Sequence, residues 1–410
     1  MLERLPKDRL VIGAYILQPY AQSEAHIRDF AACGLDLIVN LRPKDRGVLD
    51  LLSRYGVGCI LSGVMPGWWG GDGENAGTMH LQNPPENYRA GAAAYVDHPA
   101  VWGIDIGDEP SALDFPYYGE VARLTAELIP GPFPYLNLYP NYASVAQNTS
   151  EQTHNQLGTR TYAEHIERYL EHVGLPYVSY DFYLYALPEA DGVRRMLDNF
   201  RIVSEGCLRT GRRFWYIPQV NSVREEEFTS LNRLRYQGYA GLCYGASVIN
   251  WACYTAGWWK NNVLDESGNR TEQYEKLRTV NEELRRVGDP LAAYAYAGTA
   301  LVGYPEEDLG DGELTSAERI SRGPVTDLHA GGASLIAGFF EHRKEKGRTA
   351  VLVLNASDPY DRGMADAELS FAAGDGPWKC IGTDLSAPVS KDGRWTLRLP
   401  AGQAALLLFG

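Results

Sequence analysis

The feature that most constrains this chain is an alternation. Between residues 9 and 255, eight short runs rich in branched and aromatic residues read as strands. They are RLVIGAYILQ (9–18), LDLIVNL (35–41), GVGCILSG (56–63), AVWGIDIGDE (100–109), FPYLNLYPN (133–141), PYVSYDFYLY (176–185), RRFWYIPQV (212–220) and ASVINWACYT (246–255). Helical spacing fills the gaps, as in SEAHIRDFAACG, TYAEHIERYLEHVG and the last, TEQYEKLRTVNEELRRVG. Eight strands alternating with helices predict a (β/α)8 barrel, an α/β fold, over residues 1–291. A doubly wound open sheet is the rival, disfavoured by the even spacing and by the lack of GxGxxG after the first strand. From residue 292 the helical patterns stop. ASLIAGFFEH, TAVLVLNAS and GRWTLRLPAGQAALLLFG are short strands with Gly, Asp and Pro turns, which predict an all-β sandwich over 292–410.

Charge narrows the partners. The chain of 410 residues carries a net charge of −14, which disfavours nucleic acid and anionic membranes, since both call for a basic face. No run is long and apolar enough to span a bilayer, and MLERLPKDRLVIGAY lacks a signal peptide's apolar core, so the expectation is a cytoplasmic protein, compatible with a homo-oligomer. The six cysteines form no CxxC and lie mostly in apolar surroundings, as reduced core residues do. Tyrosine is abundant: 26 Tyr against 11 Phe, with 9 Trp. These rings offer a flat apolar face with a polar handle, which sugar sites use and which a Tyr-rich core also uses.

In a (β/α)8 barrel the site sits at the C-terminal ends of the strands. In the fourth run Ile104 and Ile106 suit the helix-facing side. Gly103, Asp105, Gly107 and Glu109 then face the barrel, with Pro110 ending the strand. Other runs place Asn40, Asn137, Tyr139, Asp181, Tyr183, Gln219 and Asn250 near the same rim. The loops add Trp68 and Trp69 after the third strand, and Tyr254, Trp258 and Trp259 after the eighth. They suit either the apolar face of a sugar or packing of the loops.

The segment HPAVWGIDIGDEPS resembles the fourth-strand segment of (β/α)8 glycoside hydrolases, in the large clan that includes the family 42 β-galactosidases. LRYQGYAGLCYGASVINWACYT, YEKLRTVNEELRRVGDPL and LPAGQAALLLFG are similar to that clan's approach to strand 8, last barrel helix and C-terminal β-domain. In the clan an Asn-Glu-Pro on strand 4 carries the acid/base glutamate. Here it reads Asp108-Glu109-Pro110. The resemblance implies a glycosidase with Glu109 as general acid. It departs at strand 7: where the clan has a nucleophilic glutamate, IPQVNS offers Gln219.

Glycoside hydrolysis ordinarily takes two carboxyl groups. With Glu109 as the acid, Asp181 is the favoured second carboxylate, ahead of the REEEF run (Glu225 to Glu227) and of Asp105. Glu109 also reads as an exposed residue opening a helix, Asp181 as a structural hydrogen-bonder, and REEEF as acids in a first helical turn. Asp108 is read as a hydrogen-bonder to substrate or to Glu109. Asn40, Asn137, Tyr139, Tyr183, Gln219, Trp68, Trp69, Tyr254 and Trp258 are the candidate sugar contacts. His80 and His154 are lone loop residues, and no HExxH, P-loop or GxSxG occurs, so neither metal nor cofactor is expected. The expectation is exo-action on a small oligosaccharide or glycoside. The competing reading is a carbohydrate-binding protein on a barrel that has lost catalysis.

Overall fold

The computed structural model describes residues 2–66, 75–89, 95–144, 156–222, 227–255, 259–310, 312–363, 366–374, 376–383 and 385–410. Eight parallel strands form one sheet: β1 (Val11–Tyr15), β2 (Leu37–Leu41), β3 (Gly58–Leu61), β4 (Val101–Asp108), β5 (Phe133–Asn137), β6 (Tyr177–Phe182), β7 (Arg213–Pro218) and β8 (Ala246–Trp251). Their order is β5-β4-β3-β2-β1-β8-β7-β6. The helices between them are α1 (Glu24–Ala32), α2 (Arg46–Arg54), α3 (Met79–Gln82), α4 (Pro85–Arg89), α5 (Phe115–Leu128), α6 (Tyr162–His172), α7 (Glu189–Thr210), α8 (Leu231–Cys243) and α9 (Glu272–Leu291). The fold is the barrel that the alternation predicts.

Local chemistry sets where the helices start. Side chains of Ser23, Asp45, Thr161, Ser230 and Thr271 each accept a backbone N–H in the first turn of α1, α2, α6, α8 and α9. Gly211 closes α7 in the left-handed conformation at φ 69°.

The barrel closes between β5 and β6, and that seam has little backbone ladder. One parallel bridge joins Leu138 to Tyr180, with Leu138 N donating to Ser179 O at 2.9 Å. Side chains supply the rest. The Tyr177 hydroxyl donates to Pro134 O at 2.8 Å and accepts from Leu136 N at 3.2 Å. Inside, the Tyr177 ring stacks on Trp215 with centroids 4.1 Å apart, and Tyr135 and Phe133 pack on the same indole. Ten of the twelve largest fully buried side chains are tyrosines, so the tyrosine excess serves the core before any ligand.

The C-terminal part begins at β9 (Tyr294–Val302), followed by the one-turn α10 (Glu306–Leu309), β10 (Ser316–Ala317), β11 (Ile320–Arg322), β12 (Val325–His329), β13 (Leu335–His342), β14 (Thr349–Asn355), β15 (Ala367–Ala373), β16 (Trp378–Gly382), β17 (Val389–Lys391), β18 (Arg394–Leu399) and β19 (Ala404–Phe409). Two sheets, β10-β9-β13-β14-β19-β16 and β11-β12-β15-β18-β17, enclose an apolar interior around Leu369, Phe371, Val351 and Leu407. The other face of the six-stranded sheet joins the barrel core through Ile336, Leu352 and Leu406. The contact is close at α8. A side chain at Gly338 would place its Cβ 2.2 Å from Cys243 O, so only glycine fits there. Cys243 O accepts from the Thr299 hydroxyl at 2.8 Å. Among the described residues no helix is long and apolar enough to cross a membrane.

Because the sheet covers apolar surface of α8, removing residues 292–410 is expected to leave an insoluble barrel. A soluble truncation that melts cooperatively would contradict this shared core.

Candidate active site

The C-terminal half of β4 is where the local geometry departs from simple alternation. Asp105 lies opposite Tyr135 of β5, yet Gly107 lies opposite Leu136 and Asp108 opposite Asn137, so β4 carries one extra residue. This bulge reverses the parity. Gly107, expected to face the barrel, faces the helix layer, where a Cβ would sit 2.4 Å from the Tyr118 hydroxyl of α5. Asp108 is turned in beside Asn137. Glu109 follows at φ 46°, a left-handed conformation seldom taken by a side-chain-bearing residue, with its N–H donating to Asn137 O at 3.0 Å.

Asn137 organises the acids. Its side-chain nitrogen donates to Asp108 Oδ1 at 3.1 Å and to Asp181 Oδ1 at 2.8 Å. Its Oδ1 accepts from Ser179 Oγ at 3.2 Å, Ser179 is bonded to the Tyr135 hydroxyl at 3.1 Å, and Tyr135 to the Tyr15 hydroxyl. With the Asn137 amide as donor at one end, the chain Tyr15, Tyr135, Ser179, Asn137 points its protons toward the two aspartates. Asp181 also shares a hydrogen bond with the Glu109 carboxyl.

These carboxyl groups hold protons unusually well. Burial, then the charge of Asp108, pushes Asp181 up to about 7, against the opposing hydrogen bonds from Asn137 and Glu109. Burial and then Asp108 also raise Asp105 to about 7, opposed by the Gly107 N–H, Ser62 and Arg42. Asp108 is raised by burial and eased by Asn137. Four acids close together in a poorly hydrated cavity cannot all ionise.

Beside the acids lies an apolar cluster. Ile217, in register with Asp181, clusters with Ala252 and Cys253, and Tyr15, Ile16, Tyr183 and Trp259 pack against them. The Tyr183 and Trp259 rings meet edge to face at 4.9 Å. Carboxyl groups with rings next to them can bind a polyhydroxylated ring and move protons to it.

The structure gathers Asp105, Asp108, Glu109, Asn137, Asp181 and Tyr183 here. Tyr139 is buried, 2 % exposed, and Asn40 is partly exposed at φ 58°. Two expected sugar contacts are placed otherwise. Gln219 is wholly buried; its Oε1 accepts from Tyr185 N at 2.8 Å and its Nε2 donates to Asn221 O at 3.0 Å, so it ties two loops together and has no surface for a ligand. Tyr254 is also wholly buried, packed edge-on against Phe30 of α1 at 5.0 Å, in the helix layer. The inward residue beside Asp181 on β7 is Ile217. Glu227 is exposed and precedes α8, whose first turn is capped by Ser230, so Glu227 does not open that helix. His80 is exposed on α3. Trp68, Trp69, His154, Glu225, Glu226 and Trp258 lie outside the described residues.

Sequence reading missed Tyr15, Tyr135 and Ile217 as parts of the site. Tyr135 shares the alternating face of Asn137, and Ile217 that of Gln219, but aromatic and aliphatic types read as core. Asn250, expected at the rim, is wholly buried with no hydrogen-bond partner on either side-chain polar atom. Among the described residues no cluster of His, Cys, Asp and Glu is arranged to hold a metal ion.

No protein-family model matches the sequence, and neither does any curated protein. Some solved structures are weakly similar to this chain. A glucosidase from Croceicoccus marinus is 10% identical, with 98% of this chain and 96% of that one covered at a TM-score of 0.46. A GH30 endoxylanase from Clostridium papyrosolvens C71 is 12% identical, with 98% and 97% covered at 0.45. A glycoside hydrolase family 5 mannosidase from Rhizomucor miehei is 11% identical, with 67% and 93% covered at 0.45. Likeness at this level is too low to transfer an activity.

The raised pKa of Asp105 has a sign that can be tested. Below pH 4 both the folded and the unfolded chain hold this proton. As pH rises, the unfolded chain releases it near the usual aspartate value of about 3.9, while the folded chain keeps it to about 7. The stability contributed by the neutral form is therefore lost as pH rises through 7. Asp105→Asn is expected to gain a few degrees in Tm over the native protein on going from pH 5 to pH 8. An equal difference at both pH values would contradict the assignment.

Proposed function

We propose that this chain is a glycoside hydrolase acting at the C-terminal mouth of the barrel. The observation that carries the reading is the cluster itself: Asp105, Asp108, Glu109 and Asp181 brought together at the strand ends, with Asp105 and Asp181 held protonated up to about 7, and Ile217, Tyr183 and Trp259 grouped beside Asp181. The hydrogen bond between Asp181 and the Glu109 carboxyl gives a proton held near neutrality a path to Glu109 and on to a leaving oxygen.

In this reading Glu109 protonates the glycosidic oxygen as the bond from the anomeric carbon breaks. Water adds to that carbon, directly or after a glycosyl-enzyme ester, and its proton passes to a carboxylate of the pair. Asp181 is the second carboxyl. Asn137 steadies its charge, and the Tyr15–Tyr135–Ser179 chain holds Asn137 in place. Hydrogen-bond contact between Glu109 and Asp181 is closer than the roughly 5–5.5 Å of a retaining pair or 6.5–9.5 Å of an inverting one. The sugar must therefore part them, and in the free protein they share a proton. The proposed substrate is a neutral oligosaccharide or glycoside, cleaved from one end. The proposed division is a catalytic barrel over 1–291 and a β-sandwich over 292–410.

One feature favours a second reading, carbohydrate binding without turnover. The inward β7 position beside Asp181 is Ile217, and Gln219 is locked between loops, so no carboxylate of β7 faces Glu109.

A panel of aryl glycosides and oligosaccharides of defined length separates the two. The expected outcome is hydrolysis that Glu109→Gln slows about 10²–10⁴-fold on poor leaving groups, with monosaccharide released from one end. Turnover indifferent to Glu109→Gln would remove its catalytic role. Calorimetric binding of sugars with no turnover across the panel would establish the second reading.

A further inference from the structure

At the opposite end of the barrel a cavity of about 650 Å³ opens between the strand starts and the sandwich. That is the size of a site for a small organic molecule. The first residues of β7 and β8, the C-terminal turns of α7, α8 and α9, and the start of β9 wall it. Much of the wall is apolar or aromatic, including Leu10, Phe214, Leu291, Tyr294 and Phe340.

Its charge is one-sided. Lys7, Arg9, Arg212, Arg213 and Arg343 line it, and no Asp or Glu does. This is not a by-product of a basic protein, since 52 acidic residues outnumber 38 Lys and Arg in the chain. Arg9 is neutralised by Asp36 at 3.1 Å. Arg212 donates to Leu170 O at 2.8 Å, and its other terminal nitrogen is buried without a hydrogen-bond partner. Arg213 bonds only a neutral hydroxyl among the described side chains, Ser247 Oγ at 3.1 Å. Among the described residues no carboxylate pairs with Lys7, Arg212, Arg213 or Arg343. Burial, and then repulsion from Arg343, pushes Arg213 down to about 10. A half-buried guanidinium whose charged neighbour is another guanidinium is costly, unless an anion occupies the space between. Guanidinium forks match phosphate and carboxylate oxygens with two hydrogen bonds at once.

We propose that this cavity is a second binding site, for a small organic anion bearing phosphate or carboxylate groups, with Arg213 and Arg343 holding the charged group and the apolar wall holding its body. The site joins the barrel to the sandwich, so an occupant bridges the two. It lies at the end of the barrel away from the proposed active site and does not depend on that reading.

The test is isothermal titration of the full-length protein with pyrophosphate and, separately, citrate at low millimolar concentration. Sodium chloride holds ionic strength constant, because both anions also stabilise proteins non-specifically at high concentration. Saturable binding of either anion is expected. A preference for pyrophosphate assigns a phosphate ligand, and a preference for citrate assigns a carboxylate. Arg343→Gln, at an exposed position that should tolerate the change, is expected to weaken binding at least tenfold, and Arg213→Met to do the same. If Arg213→Met fails to fold, Arg343→Gln decides alone. No saturable heat with either anion, or an unchanged Kd in Arg343→Gln, would overturn the proposal.

Discussion

The Asn137 amide ties the barrel together where its backbone does least, alongside the Tyr177 hydroxyl. Between β5 and β6 a single bridge carries the sheet across the seam, and the Asn137 side chain crosses it beside that bridge. Asn137 donates to Asp108 on β4 and Asp181 on β6 and accepts from Ser179 on β6, while Tyr135 and Tyr15 extend the chain to β1. Four strands are thus linked through polar atoms at the level where the sheet would otherwise be open. A buried network of this kind is stable only when every member is satisfied, and here the carboxylates serve as its terminal acceptors. The acids are both the proposed chemistry and part of the closure. That dual role accounts for their tolerance inside the barrel despite the cost of burying charge.

The architecture was legible because its signal is periodic and repeated. Eight apolar runs at even spacing, with Ser, Thr or Asp capping residues such as Ser23, Thr161 and Thr271 before helices, leave few alternatives. The site was legible in part. Asp181, Asn137 and Tyr183 follow from alternation along regular strands. Gly107 did not, because the extra residue in β4 inverts its face, and a bulge leaves no mark in composition. Gln219 was misplaced for a different reason: at a strand end a polar side chain serves loop carbonyls and amides as readily as a ligand, and its hydrogen bonds to Tyr185 and Asn221 are set by loops the pattern does not describe. Tyr15 and Tyr135 were hidden by type, since a phenol serves a core and a polar network equally well.

The two ends of the barrel carry opposite chemistry. The mouth concentrates acids that repel one another and hold protons, as Asp105 and Asp181 do at about 7. The base concentrates arginines, with Arg213 lowered by burial and then by its neighbour Arg343. In both places like charges are held close in a poorly hydrated space. Folding alone does not favour such an arrangement, and a bound partner of the right polarity relieves it: a proton at the mouth, an anion at the base.

The central claim is that the mouth stores protons at neutral pH. The most direct measurement is a carboxyl ¹³C NMR titration of the labelled protein, with the Asp105 and Asp181 signals assigned by single Asp→Asn substitutions. The account predicts that both titrate near 7, about three units above a free aspartate. Titration of both between about 3 and 5, in the range of ordinary aspartates, would contradict it.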